Sequence, residues 1–273
     1  MMLCTRLGCL VVAVGSLALG EGGDTQGGLP LAGEAAERFL LSAEEVNREP
    51  LPIGITESER LTLTLGAVRA RAIWKTIDEW EPVRTFEDGS RDVGFQDSYK
   101  CEVAAYELDK LLGLGMVPPT VERVIDGEKG SLQLWVEGAM MEAERMERNR
   151  VAPDRRRWLE QIHEVRVFHN LIYNTDANNA GNILIGPDWR IHLIDHSRSF
   201  RRSGKLRSKK GLTRFSRSLL ERLRQLDREV LEVKLGGWLH KRQIVAVLER
   251  RDRILKLAAR LVAERGEEAV LYP

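Results

Sequence analysis

Alternating apolar and polar residues predict two pairs of strands in the first half of the chain. Residues from Arg60 to Ile77 alternate on either side of Gly66, a pattern typical of a β-hairpin with a glycine in its turn. Residues 120–126 and 131–139 form a second pair around a Gly-Glu-Lys-Gly turn. Between the two pairs, the polar stretch from Glu87 to Asp97 predicts a loop.

Apolar residues spaced three or four positions apart predict helices elsewhere. A short helix covers 34–46, and a longer amphipathic helix covers 100–115, where Gly113 can end it. A third helix runs over 154–172 and begins at Asp154, a suitable N-cap residue. The C-terminal part of the chain has the same spacing and predicts several further helices. The first half is therefore mainly sheet, and the second half is mainly helix.

Composition and charge limit the classes of partner. The chain has 273 residues, of which 43% are hydrophobic, so it can form one large domain or two lobes around a cleft. Its 42 basic and 41 acidic residues leave a formal charge of +1. Net charge therefore gives no reason to expect binding to nucleic acid or to a membrane surface.

The N-terminus has the features of a secretory signal peptide. Arg6 precedes an apolar run, and Ala18-Leu19-Gly20 places small residues at a cleavage site. The run is about ten residues long and too short for a stable transmembrane span. We therefore expect a signal peptide at 1–20, a flexible spacer at 21–32, and export to a periplasmic, extracellular or secretory-lumen location. A start codon further downstream would instead give a cytoplasmic protein.

Cleavage at this site would leave one cysteine in the chain. Cys4 and Cys9 lie within the predicted signal peptide, and Cys101 lies within the predicted helix 100–115. The mature protein would therefore contain no internal disulfide, and its stability would come from packing.

The segment from Asn174 to Asp195 concentrates the residues that phosphoryl transfer requires. A helix leads into a loop that contains Asp176 and Asn182, and a short hairpin over 182–195 then delivers Asp195. Phosphoryl transfer uses one carboxylate to orient the attacking hydroxyl, and amide and carboxylate oxygens to hold magnesium. Asp195 ends an apolar strand, where a carboxylate needs a partner or a metal.

This segment resembles the catalytic loop and metal-binding turn of atypical protein-kinase-like enzymes. Similar enzymes include the HipA-type kinases, the phosphatidylinositol 3- and 4-kinases, and the secretory-pathway kinases of the Golgi, in which a DRHxxN loop precedes a hairpin and an aspartate. Upstream, EVAAYELDKLLGLGMVPPTV resembles the helix and turn that these families place beside ATP. The resemblance implies an α+β, two-lobed protein-kinase-like fold. A small β-rich N-lobe with one helix would span 33–138, and a mainly helical C-lobe would span 139–273.

The resemblance also implies roles for individual residues. Asp176 would be the catalytic carboxylate, Lys75 would contact the phosphates of ATP, and Glu102 would pair with Lys75. Asn182 and Asp195 would bind Mg²⁺ or Mn²⁺. The adenine-side hinge would consist of Leu134, Trp135, Val136 and Glu137.

The sequence departs from the family pattern at three places. Asp176 stands six residues before Asn182 instead of five, so either the loop is one residue longer or Asn182 is not a metal ligand. Ala177 and Asn178 replace the Arg-His pair of the loop. No GxGxxG loop precedes Lys75, although Gly66 could let backbone amides approach a phosphate.

Two further features have alternative interpretations. The basic segment from Arg198 to Lys210 is either a solvated loop or a surface that receives an acidic hydroxyl acceptor or a phosphate. His192 and His196 flank Asp195, but no third ligand for zinc is evident, and we interpret them as structural.

The sequence favours an ATP- and Mg²⁺-dependent phosphotransferase with an unidentified hydroxyl acceptor. Two alternatives remain: a non-catalytic module that binds nucleotide or a partner, and a nucleotidyl transferase that uses the same site.

Overall fold

The computed structural model describes residues 28–51 and 58–273, so the predicted signal peptide and most of the spacer lie outside the described residues. The N-lobe contains a five-stranded antiparallel sheet in the order β1-β2-β3-β7-β6. Its strands are β1 (Glu44–Pro50), β2 (Glu59–Leu65), β3 (Val68–Lys75), β6 (Thr120–Ile125) and β7 (Glu128–Leu134). Helix α1 (Gly33–Ser42) packs against this sheet.

Both hairpins predicted from alternation are present. The β2–β3 turn contains Gly66 with φ +59°, and the β6–β7 turn contains Gly127 with φ +84°, conformations that glycine adopts without strain. Along β2 and β3, every second residue is buried, including Leu61, Leu63 and Trp74. Burial of one sheet face thus produces the alternation seen in the sequence.

Two local predictions were wrong. Helix α1 ends at Ser42 because Ala43 is extended (φ −67°, ψ 145°), and residues 44–50 form β1 instead of continuing the helix to Val46. Val46 is 50% exposed, so its helical spacing did not reflect core packing. The predicted loop from Glu87 to Asp97 contains most of a strand, β5 (Arg91–Ser98), which pairs with β4 (Asp78–Thr85).

The β4–β5 hairpin lacks the usual sequence signal of a strand pair. Most residues of β4 are exposed on both faces, so no apolar alternation marks the strand. The pairing is closed by the hydrogen bond from Phe86 N to Ser90 O at 2.9 Å. Near the end of β5, Phe95 is fully buried and attaches the hairpin to the rest of the molecule.

The C-lobe is mainly helical. Its helices are α3 (Glu142–Glu147), α4 (Arg155–Leu171), α5 (Arg217–Gln225), α6 (Arg228–Leu235), α7 (Lys241–Arg265) and α8 (Glu267–Val270). Short strands β8 (Met140–Met141), β9 (Ile183–Ile185) and β10 (Ile191–Leu193) form one sheet, and β11 (Phe215–Ser216) pairs with β12 (Leu271–Tyr272). As predicted, Asp154 caps α4 by accepting a hydrogen bond from Arg157 N at 3.0 Å. No helix in the described residues is both long and apolar enough to cross a membrane.

Helix α2 (Tyr99–Leu112) connects the two lobes. It ends at Gly113, whose φ of +59° is left-handed, and its residues Ala104, Leu108 and Leu112 belong to the same apolar cluster as α4 and α7. A separate apolar cluster fills the N-lobe between α1 and the sheet. Because α2 packs against both the N-lobe sheet and the C-lobe helices, its first turn is held at the boundary between the lobes, where the candidate site lies.

Candidate active site

Three charged side chains meet at this boundary. Lys75 is the last residue of β3, Glu102 lies in the first turn of α2, and Asp195 follows β10 by two residues. Lys75 Nζ donates to Glu102 Oε1 at 2.6 Å and to Asp195 Oδ1 at 2.8 Å. The ammonium group of Lys75 thus contacts two carboxylates that lie 27 and 120 positions further along the chain.

Burial makes these ion pairs sensitive to the loss of either partner. Lys75 is 13% exposed, and burial alone would lower its pKa, but the charges of Glu102 and Asp195 outweigh burial and raise that pKa. Glu102 is 2% exposed, and burial alone would raise its pKa, yet Lys75 and His196 together hold it well below its usual range. Both groups are therefore charged at neutral pH.

His196 completes the surroundings of Glu102. Its backbone N–H donates to Glu102 Oε2 at 3.0 Å, and its imidazole Nδ1 lies 3.3 Å from the same oxygen. The ring is fully buried and makes an edge contact with Phe168. These contacts fix the backbone immediately after Asp195, whose φ of +60° is left-handed.

The loop that contains Asp176 is folded by its own asparagines. Asn174 Oδ1 accepts from Asp176 N at 2.8 Å, and Asn179 Oδ1 accepts from Gly181 N at 2.9 Å. Asp176 is partly buried. Burial raises its pKa, Arg198 partly opposes that rise, and the charge of Asp195 adds to it. A partly buried carboxylate whose pKa is raised is suited to accept a proton.

Asn182 lies beside the backbone that leads to Asp195. Its carbonyl accepts from Ile194 N at 3.1 Å, and its side-chain Oδ1 accepts from Asn179 Nδ2 at 3.2 Å. Its own Nδ2 is buried and has no hydrogen-bond partner in the described chain. The side chain of Asp195 is 35% exposed. The amide oxygen and the carboxylate are the hard donors that Mg²⁺ and Mn²⁺ accept, so these residues fit a divalent cation.

The described residues contain no larger cluster of metal-ligating side chains. Among residues 28–51 and 58–273, no group of three or more histidine, cysteine, aspartate and glutamate side chains is arranged to hold a metal. Cys101 is buried and forms no disulfide within the described residues.

The predicted hinge links the two lobes after β7. Leu134 N donates to Pro119 O at 2.8 Å, and Trp135 N donates to Arg71 O at 2.9 Å. The side chain of Arg71 forms an ion pair with Glu137 and lies 5.0 Å from the Trp135 ring centre. Leu134 and Val136 are both buried. These contacts hold residues 134–137 against β3.

The chain just before α1 packs directly on this hinge. Glu137 N donates to Gly28 O at 2.7 Å, and a Cβ on Gly28 would lie 2.3 Å from the Glu137 carbonyl oxygen. Gly28 also has φ +88°, so both its backbone conformation and its surroundings favour glycine.

The basic segment after Asp195 is only partly solvated. Arg198 Nε donates to Asp97 Oδ2 at 3.0 Å, and Arg201 forms an ion pair with Asp92. The exposed cations of the segment are Arg202, Lys205, Lys209 and Lys210. The segment is therefore attached to the β4–β5 hairpin at its start and open to solvent further along.

Strand β5 also runs beside the backbone of this segment. Ser98 N donates to Ser197 O at 3.0 Å, and the side chain of Gln96 donates to Ser199 O. These contacts could not be predicted from the sequence, because the partners are about a hundred residues apart and β5 itself was not predicted. In the sequence, Asp97 is marked only by its position at the end of a polar stretch, which does not indicate a partner.

Solved structures share this architecture. A hydra Fam20 structure with sugar aligns with a TM-score of 0.60 and 16% identity, covering 86% of this chain and 90% of that one. A structure of the Golgi casein kinase gives a TM-score of 0.62 and 14% identity, covering 90% and 79%. The Golgi casein kinase with Mn/ADP bound gives 0.60 and 15%, covering 87% and 78%.

Sequence comparisons add nothing to this likeness: no family model matches the chain, and no curated protein matches it. The structural likeness confirms the predicted α+β, two-lobed fold class.

Proposed function

We propose that this chain, which has the fold of the atypical protein-kinase-like superfamily, is an ATP-dependent phosphotransferase that uses Mg²⁺ or Mn²⁺. The observation that carries the proposal is the position of Lys75, whose ammonium bridges buried Glu102 and partly exposed Asp195. In phosphoryl transfer such a lysine contacts the nucleotide phosphates, and the ion pair with a helix glutamate holds it in place. The proposed lobes are 33–138 and 139–273, supported by the boundary between β7 and β8.

Each further residue receives a role by its place in this arrangement. The adenine would lie against Leu134, Trp135, Val136 and Glu137. Asn182 and Asp195 would hold the metal ion, which when bound neutralises negative charge on the phosphates. The structure of the Golgi casein kinase with Mn/ADP supports this assignment by similarity of fold.

Asp176 would orient the acceptor hydroxyl. The acceptor oxygen would form a bond to the γ-phosphorus while the bond between that phosphorus and the ADP oxygen breaks, and the hydroxyl proton would pass to Asp176. The pKa of Asp176, raised mainly by burial, supports this role. Exposed cations at Arg202, Lys205, Lys209 and Lys210 favour an acidic acceptor.

A module that binds nucleotide without turnover is the second candidate. It is favoured by the loop 176–182, which carries no cation of its own and is closed by the hydrogen bond from Asn179 Nδ2 to Asn182 Oδ1. Nucleotidyl transfer at the same site is a third candidate, and the mass of the product would distinguish it from phosphorylation.

Export remains the proposed location of the protein. The Golgi origin named for one structural neighbour supports this location.

Calorimetry and product analysis on the purified full chain test these proposals. We expect Mn²⁺-dependent binding of ADP that is lost in Asp195→Ala and retained in Asp176→Asn, with turnover of ATP lost in Asp176→Asn. Asp252→Ala, a change at an exposed aspartate of α7, is the matched control and should leave both unchanged. Binding without turnover in the wild type would favour the second candidate. A folded wild type that binds no nucleotide would overturn all three.

A further inference from the structure

The proposed catalytic loop lacks a positive charge of its own. Between Asp176 and Asn182 the sequence is Asp-Ala-Asn-Asn-Ala-Gly-Asn, and no residue in it carries a cation. Asp176 is partly buried, and the negative charge of Asp195 helps to raise its pKa. A carboxylate in such surroundings needs a nearby cation to remain ionised at a useful pH.

We propose that Arg198, held in place by the buried carboxylate of Asp97, is a positioning residue for Asp176 and supplies this missing charge. The role of Arg198 in catalysis rests on the proposed function, whereas its contacts with Asp97 and Thr175 do not depend on that function. Arg198 follows Asp195 by three residues, in the segment that runs beside β5.

Two contacts place Arg198 next to the loop. Thr175, the residue before Asp176, donates its hydroxyl to Arg198 O at 3.1 Å. The Arg198 side chain is 23% exposed and lies 5.4 Å from the Phe95 ring centre, which limits its rotamers. The backbone of Arg198 is thus attached to the residue before Asp176, and its guanidinium is held against Asp97 and Phe95 of β5.

The carboxylate of Asp97 fixes the direction of this guanidinium. Its side chain is 3% exposed, its Oδ2 accepts from Arg198 Nε at 3.0 Å, and its Oδ1 is buried without a hydrogen-bond partner in the described chain. A carboxylate buried to this extent depends on its cation, because loss of that cation leaves an uncompensated charge. Asp97 therefore holds Arg198 strongly.

The charges around Asp176 agree with this arrangement. Burial raises the pKa of Asp176 most, Arg198 lowers it more than any other cation, and Asp195 and Asp97 raise it. Arg207 also lowers this pKa, and its guanidinium donates to Thr175 O at 3.3 Å. Arg198 is therefore the principal cation that opposes the protonation of Asp176.

The titration of Asp176 in carboxyl-labelled protein tests the inference without any need for turnover. The Asp176 signal would be followed by ¹³C NMR and assigned with Asp176→Asn. In Arg198→Met we expect the pKa of Asp176 to rise by about 1. Arg198→Lys, which keeps the charge, should restore most of the original value.

Arg84→Met is the matched control. Arg84 also stacks on Phe95, at 3.7 Å from the ring centre, but it pairs with Glu79 and Glu81 on the hairpin surface. Its loss should leave the titration of Asp176 unchanged. An unchanged pKa in folded Arg198→Met, or an equal shift in Arg84→Met, would overturn the inference.

Arg198→Met leaves Asp97 unpaired and could fail to fold. In that case the double variant Asp97→Asn/Arg198→Met, which buries no unpaired charge, is compared with Asp97→Asn alone. The same rise of about 1 in the Asp176 pKa is expected between them, and no rise would again overturn the inference. Nucleotide binding measured on these samples separates the two proposals: a wild type that binds no ADP contradicts the proposed function, whereas the titration decides the role of Arg198 in either case.

Discussion

The carboxylate of Glu102 accepts the backbone N–H of His196 at 3.0 Å through the oxygen that does not pair with Lys75. One buried side chain of α2 therefore orients both the lysine on β3 and the backbone after Asp195. The three elements of the site depend on a single glutamate.

Removal of Lys75 should destabilise the protein. Lys75→Met leaves Glu102 buried beside Asp195 without a cation, and we expect a loss of about 3–5 kcal/mol in the free energy of unfolding. The double variant Lys75→Met/Glu102→Gln should regain part of this loss, because the unpaired charge is gone. Urea unfolding of the wild type, the single variant and the double variant measures both effects. A Lys75→Met variant as stable as the wild type would show that the ion pair between Lys75 and Glu102 is not buried.

The pH dependence of turnover should report the surroundings of Asp176. Because burial raises its pKa from the ordinary 3.8, activity that requires the carboxylate should be lost as pH falls through a value above 3.8. A pH–rate profile of ATP turnover locates this midpoint. Glu128→Gln, at an exposed glutamate of β7, is the control and should leave the profile unchanged. An acidic limb centred at or below 3.8 would contradict the prediction.

Asp109 should give the fold a second dependence on pH. Burial raises the pKa of this α2 carboxyl to about 7, although it accepts from Met116 N at 3.1 Å. The folded state then holds a proton that the unfolded state loses near pH 3.8, so the contribution of this group to stability falls as pH rises from about 4 to 7.

The variant Asp109→Asn removes this titration. Between pH 4 and pH 7, the wild type should lose roughly 2–4 kcal/mol more stability than Asp109→Asn. Urea unfolding at several pH values measures the difference, with Glu128→Gln again as the control. Parallel stability curves for wild type and Asp109→Asn would show that Asp109 is ionised throughout this range.

The contact of Gly28 with the hinge can be tested against a glycine of the same conformation. Gly28 and Gly127 have φ of +88° and +84°, but a Cβ on Gly127 would meet nothing within 4 Å, whereas one on Gly28 would meet Glu137 O. Gly28→Ala should therefore cost about 1–3 kcal/mol more than Gly127→Ala in urea unfolding. Equal losses of stability in the two variants would mean that Gly28 does not pack closely against Glu137.

The fold was predictable where burial leaves a periodic signal. One buried face produces alternation in β2 and β3, and Asp154 caps α4 as its residue type suggests. The β4–β5 hairpin and β1 were missed because most of their side chains are exposed, so their sequence is not constrained by a core.

Sequence could suggest Lys75, Glu102 and Asp195 because each resembles a familiar position, but it could not measure their distances. The pairing of Asp97 with Arg198 was beyond prediction, since it joins residues 101 positions apart through a hairpin that has no pattern.

The hydrogen bonds from β5 to residues 197 and 199 have a consequence for the movement of nucleotide. They connect the hairpin that follows β3 to the segment that follows Asp195, in addition to the covalent connection at the hinge. If the two lobes rotate relative to each other, these hydrogen bonds must break unless the rotation axis passes close to them. We therefore expect ADP to leave through the side of the cleft remote from β5, and its rate of departure to increase when Gln96 is shortened.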